Sequence, residues 1–198
     1  MDNLAWLIPV GIAVLVLIGL VVWMLVARGR IQKLDQQVDE AWHDIAAQLK
    51  RRADLVPSVI AAVQGHGSQA PSSAQPNTER VFALVDTARG ETLAARTPSE
   101  ASVAENHFQG ALRGLFGLAQ TYPQLHSSPE FVQLQADLVQ TEDKLQSARR
   151  RYNGSVRELS AAAKKFPGSV VASKEARERE FFEVADRAAI AEPPRVQF

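Results

Sequence analysis

Residues 4–27 carry no charged side chain. They are Leu, Val, Ile, Ala, Gly, Trp and Met with a single Pro, and this run constrains the chain more than any other feature. As a helix it extends about 36 Å, enough to cross a hydrocarbon core of about 30 Å with some tilt. It has no polar face, so it does not suit the surface of a soluble domain. Trp6 and Trp23 stand about 25 Å apart on that helix, which puts an indole near each membrane–water interface.

A cleaved signal peptide fits less well. Only Asp2 precedes the run, so a basic leading region is missing. The apolar stretch exceeds a signal core in length, and Leu25-Val26-Ala27 is a poor cleavage site. The flanks set orientation. Arg28, Arg30 and Lys33 follow the run and nothing basic precedes it. The positive-inside bias therefore predicts a single-pass protein of the inner cell membrane, with a short N-terminus outside and residues 28–198 cytoplasmic.

Beyond the run the charges nearly balance, since Asp2 is the only one of the 22 Lys+Arg and 22 Asp+Glu residues that lies before it. This gives no basic field for nucleic acid. The absence of Cys excludes disulfides, a thiolate nucleophile and Cys-ligated zinc. From Ile31 apolar residues recur in steps of three and four: Leu34, Val38, Ala41, Trp42, Ile45, Leu49, Val56, Ile60 and Val63. A first helix continues from the span to about residue 64, kinked at Pro57. Residues 66–78, rich in Ser, Pro and Gln, read as a flexible loop.

A second helix starts at Asn77 or Thr78, with Val81, Leu84, Val85, Ala88 and Leu93 as its stripe. Thr97-Pro98-Ser99-Glu100 spells the start of a third. Its stripe is Val103, Phe108, Ala111, Leu112, Leu115, Leu118 and Ala119, and it ends near Tyr122-Pro123. A long fourth helix runs from Pro129 to Pro167-Gly168 with Phe131, Leu134, Leu138, Leu145, Ala148, Tyr152, Leu159 and Phe166 on one face.

No run alternates as a strand. The predicted fold is all-α: a transmembrane helix, then an antiparallel up-and-down four-helix bundle with two long helices. Residues 1–30 form the anchor, 31–172 the bundle and 173–198 a C-terminal tail. With the fourth helix returning to the bilayer, Lys164 and Lys165 join Arg28, Arg30 and Lys33 in a juxtamembrane collar. On that register the acids of Asp39 and Asp44 fall beside the bases between Arg149 and Arg157.

Two stretches carry a family resemblance. One is Ala41-Trp42-His43-Asp44-Ile45-Ala46-Ala47-Gln48-Leu49-Lys50-Arg51-Arg52-Ala53-Asp54-Leu55-Val56-Pro57; the other is Ala148-Arg149-Arg150-Arg151-Tyr152-Asn153, followed by Phe166-Pro167-Gly168. Together they resemble the LemA family, with support from Tyr122-Pro123-Gln124-Leu125 and Pro194-Arg195-Val196-Gln197-Phe198. The resemblance implies a bacterial, membrane-anchored helical bundle with no known catalytic residues, whose relatives look like companions of a membrane protease or another membrane-attached domain. Gln64-Gly65-His66-Gly67 stands where the family usually has a Tyr and a His-Glu pair.

The residues assemble no reactive set. His43, His66, His107 and His126 lack zinc-ligand spacing, and no Gly-x-Ser-x-Gly turn or phosphate loop occurs. Asp35, Asp39, Glu40 and Asp44 read as a solvated or paired face. Lys50-Arg51-Arg52 spreads around its helix, so it is no one-sided patch. Trp42 lies on the apolar stripe and reads as packing. The expectation is a protein without enzymatic activity, cofactor, metal or nucleic-acid partner, in contact with the lipid bilayer and with protein partners yet to be identified. It acts as a scaffold or adaptor of the LemA type; the alternative is a sensor that binds a small ligand between helices beside Trp42 and Tyr152.

Overall fold

A computed structural model of the chain describes residues 7–67 and 75–183. Trp6, most of the expected 66–78 loop and residues 184–198, with Pro194 to Phe198, lie outside the described residues. Among those described, every regular element is helical: α1 Leu7–Gly67, α2 Gln75–Ala94, α3 Pro98–Ala119, α4 Pro123–His126, α5 Pro129–Lys164, α6 Gly168–Val171 and α7 Lys174–Arg177.

Helix α1 is 61 residues long and continues through Pro57, spanning roughly 90 Å. Its residues 9–22 are exposed throughout, with Leu15 and Leu17 more than 60 % exposed. By length and composition it can cross a membrane. From Ile31 the character changes. Leu34, Val38, Ala41, Ile45, Leu49, Ala53, Val56, Val59 and Val63 are buried at helical spacing.

The chain divides into two compact units, and α1 and α5 contribute to both. One comprises the described residues of Met1–Ala41 with Asn153–Arg179. Its interior holds Ile31, Leu34 and Val38 of α1 and Val156, Leu159 and Ala163 of α5. Pro167 and Gly168 close α5. A side chain at Gly168 would collide with the Ala162 carbonyl and touch Ile31, so only glycine permits this close backbone approach. Ser173 caps α7, its hydroxyl accepting from the Ala176 amide at 3.1 Å. Arg179 then donates to Asp35 at 2.7 and 2.9 Å and lies 2.8 Å from Asp39.

The other unit comprises Trp42–Tyr152 and the described residues from Glu180. Its core joins Val56, Val59 and Val63 of α1, Val85 and Ala88 of α2, Phe108, Leu112 and Leu115 of α3, and Phe131 and Leu138 of α5. The Thr97 capping box is present. The Thr97 hydroxyl accepts from the Glu100 amide at 3.2 Å, while the Glu100 carboxylate accepts from Arg96 and Thr97 amides at 2.8 and 3.3 Å. Those amide bonds hold the Glu100 carboxyl below the usual range.

Several expectations shift. α2 begins at Gln75, two residues early, and α3 ends at Ala119, with Pro123 opening the separate α4. Leu84, Leu93 and Val103 are exposed. The buried face of α2 runs through Val85, Ala88 and Thr92, and that of α3 through Ala101, Ala104, Glu105 and Phe108. Leu84 lies about 100° around the helix from Val85, on the solvent side. Residues 173–183, assigned to the tail, are packed: Ala176 and Phe182 are buried.

Candidate functional site

Three places concentrate chemistry. The first is the buried polar centre of the larger unit. Arg52 lies one turn beyond Leu49 and one turn before Val56, so the α1 stripe that buries them also buries its guanidinium. Its Nη1 donates to Oε1 of Glu105 on α3 and stands 2.8 Å from Oε2 of Glu142 on α5. Gln109 Nε2 donates to the same Glu105 oxygen at 3.0 Å. The guanidinium carbon also sits 5.1 Å from the Phe108 ring centroid, within cation–π range. Arg52 is 6 % exposed and Glu105 fully buried.

Two carboxylates thus share one guanidinium, Glu105 fully buried and Glu142 partly exposed. Burial raises the Glu105 carboxyl above its ordinary range, although the Arg52 charge and the Gln109 and Arg52 hydrogen bonds pull the other way. Glu105 Oε2, Arg52 Nε and Gln48 Oε1 are buried and make no hydrogen bond to protein. Such a centre fixes the register of three helices more than it adds stability. It holds no nucleophile poised beside a base.

The second place joins α1, α5 and the segment after α7. Trp42 is half-buried, with ring centroids 5.8 Å from Tyr152 and 6.3 Å from Phe182. The Tyr152 hydroxyl donates to the Glu180 carbonyl at 2.7 Å. The Ser102 hydroxyl accepts from the Glu183 amide at 3.2 Å, and Glu180 accepts from the Ser99 amide at 3.3 Å. Residues 180–183 therefore clasp α3 and α5. Nearby, Arg151 donates to Asp44 at 2.7 Å with both side chains more than half exposed. Asp44 of α1 thus pairs with Arg151 of α5, and Arg52 of α1 with Glu142 of α5.

The third place is the end of the smaller unit nearest the apolar run. Trp23 and Phe166 meet edge to face with centroids 5.2 Å apart. Arg28, Arg30, Lys33, Lys164 and Lys165 are all exposed. Elsewhere, an open groove of about 450 Å³ between α2 and α3 is lined by Val81, Leu84, Gly110 and Gly114. At its edge His107 Nδ1 and Glu91 are 2.7 Å apart. Among the described residues, no group of three or more His, Asp or Glu is placed to hold a metal. Asp39 lies against Arg179.

The motif residues divide by environment. Leu49, Arg52, Tyr152 and Pro167 are buried; Trp42, Leu55, Arg149 and Asn153 are half-buried; Lys50, Arg51, Asp54, Pro57 and Phe166 are exposed. Sequence reasoning missed the Arg52–Glu105–Glu142 centre because Arg52 stood in a basic triplet. The available signal was stripe position, since Arg52 and Glu105 each occupy the buried face of an otherwise apolar helix. The model of the LemA family matches residues 41–198. No curated protein matches the chain.

Proposed function

Because this chain belongs to the LemA family, we propose that it is a single-pass membrane scaffold or adaptor, without enzymatic activity, that recruits protein partners at the inner membrane face. One observation carries the reading: α1 is continuous from an apolar run, exposed over residues 9–22, into a stripe buried among other helices. Anchor and helical body then share one helix. The finer architecture we propose is an antiparallel up-and-down bundle of α1, α2, α3 and α5. Arg28, Arg30 and Lys33 argue for a cytoplasmic body.

The sensor reading is less favoured, because Phe182 and Tyr152 both pack against Trp42, beside which a ligand was expected. Sidedness is tested by a cysteine placed at the exposed Ala83. A membrane-impermeant thiol reagent added to intact cells is expected to leave it unlabelled and to label it after lysis. Labelling of intact cells contradicts the orientation.

A further inference from the structure

The corner between α5 and α6 combines features that a solvated turn does not need. Phe166 and Val170 are 59 % and 60 % exposed. They are flanked by Lys164 and Lys165, also exposed. An aromatic and an aliphatic residue beside bases is the composition of a membrane-interface segment.

Its depth is tied to α1. With ring centroids 5.2 Å apart, Phe166 shares the depth of Trp23 to within about that distance. Trp23 stands five residues before Arg28, the first charge after the apolar run. That is about 7.5 Å along the helix, the position of an interfacial anchor. Beside the two rings, between α1 and the end of α5, lies an open groove of about 430 Å³. Val26 and Ala27 line it on the apolar side, and Arg30 and Lys165 supply cations. Glu158 is its one carboxylate, about 10 Å along α5 from Lys165.

We propose that this corner is a second membrane contact. Phe166 and Val170 enter the headgroup–acyl boundary of the leaflet where α1 emerges. The groove beside Trp23 and Phe166, between α1 and the end of α5, seats the headgroup of an anionic phospholipid, with Arg30 and Lys165 supplying the complementary charge. The proposal rests on the anchored reading of α1. It adds that the body is held against the bilayer at two points, so its tilt responds to the anionic lipid content of that leaflet.

The native chain has no Cys, so single spin labels can be placed on it without background. Labels at Leu17→Cys, Val170→Cys and Lys50→Cys in the full chain are compared by collisional accessibility to oxygen and to a nickel chelate. The vesicles contain phosphatidylcholine either alone or with phosphatidylglycerol. The expected result is a Leu17 label in hydrocarbon, a Lys50 label in water and a Val170 label at the headgroup boundary.

Phosphatidylglycerol deepens the Val170 label, and Phe166→Ser brings it back toward water. Arg30→Gln with Lys165→Gln shrinks the phosphatidylglycerol effect, by about five-fold in lipid preference per charge removed. A Val170 label in water beside a Leu17 label in hydrocarbon overturns the second contact and leaves the anchor standing. A Val170 label at the boundary in both lipids alike overturns the anionic-lipid site. A Leu17 label in water overturns the anchor and the proposal with it.

Discussion

Arg52 of α1 and Glu105 of α3, 53 residues apart in sequence, form an ion pair with side chains 8 % and 0 % exposed. Forming it takes two charges out of water, which Coulomb attraction alone barely offsets. Removing one partner is a different matter, because the other charge stays buried. Arg52→Ala is expected to destabilise the fold by about 3–5 kcal/mol in chemical denaturation. The neighbouring Arg51 is exposed, and Arg51→Ala should stay within about 0.5 kcal/mol. Equal effects at the two sites would place the guanidinium in solvent.

The same pair sets a pH dependence. The folded-state pKa of Glu105 is raised above 4.5, so the folded state favours its protonated form. Its contribution to stability is fully present below about pH 4.5 and is lost as pH rises through the folded value. Glu105→Gln stays neutral throughout. Its stability relative to the native chain should therefore climb as pH rises from about 4.5 and then level off, as read by denaturant melts across pH. A flat difference contradicts the assignment. Glu100, held low by amide hydrogen bonds, contributes in the opposite sense, with stability present above 4.5 and lost as pH falls, but it cancels in this comparison.

Phe182 is fully buried and Phe181 is 40 % exposed. Phe182→Ala is expected to cost about 3–5 kcal/mol and to open residues 173–183 to limited proteolysis. Phe181→Ala should do neither. Loss of protection in both variants, or in neither, would mean that the clasp on Tyr152 and Ser102 does not hold the segment.

Asp44 and Arg151 meet at 2.7 Å, yet their side chains are 51 % and 61 % exposed. A double-mutant cycle should give a coupling of only about 0–1 kcal/mol. Leu145, 2 % exposed on α5, should by contrast cost about 2–5 kcal/mol as Leu145→Ala. A strong Asp44–Arg151 coupling with a weak Leu145 effect would reverse the roles assigned to surface and core.

Much of the helical organisation was legible because its signals are local. The Thr97-Pro98-Ser99-Glu100 cap, the Pro129 start and the Pro167-Gly168 stop each act through a neighbouring backbone group. One long-range pairing was partly legible too: Asp44 meets Arg151, within the 149–157 stretch expected beside it, whereas Asp39 turns to Arg179. That exception shows where local signals end. Nothing near residue 179 or 182 announces that these residues fold back onto α1 and Trp42, because the partners lie more than a hundred residues away in sequence. The buried centre was hidden for another reason. Charge counting treats Arg52 like Arg51, and only the stripe position of Arg52, one turn from Leu49 and from Val56, separates them.

We propose that the helical body gathers proteins while α1 holds it at the membrane. The most direct measurement is photo-crosslinking of the full chain in intact native membranes. A reactive residue replaces the exposed Leu84, Val103 or Val139 in turn, and the adducts are identified by mass spectrometry. The account predicts discrete, light-dependent adducts with the same few proteins from one or more of these positions, and adducts with lipid from a probe at Leu17. Lipid adducts from Leu17 with no protein adduct above background from any body position, across several growth conditions, would contradict it.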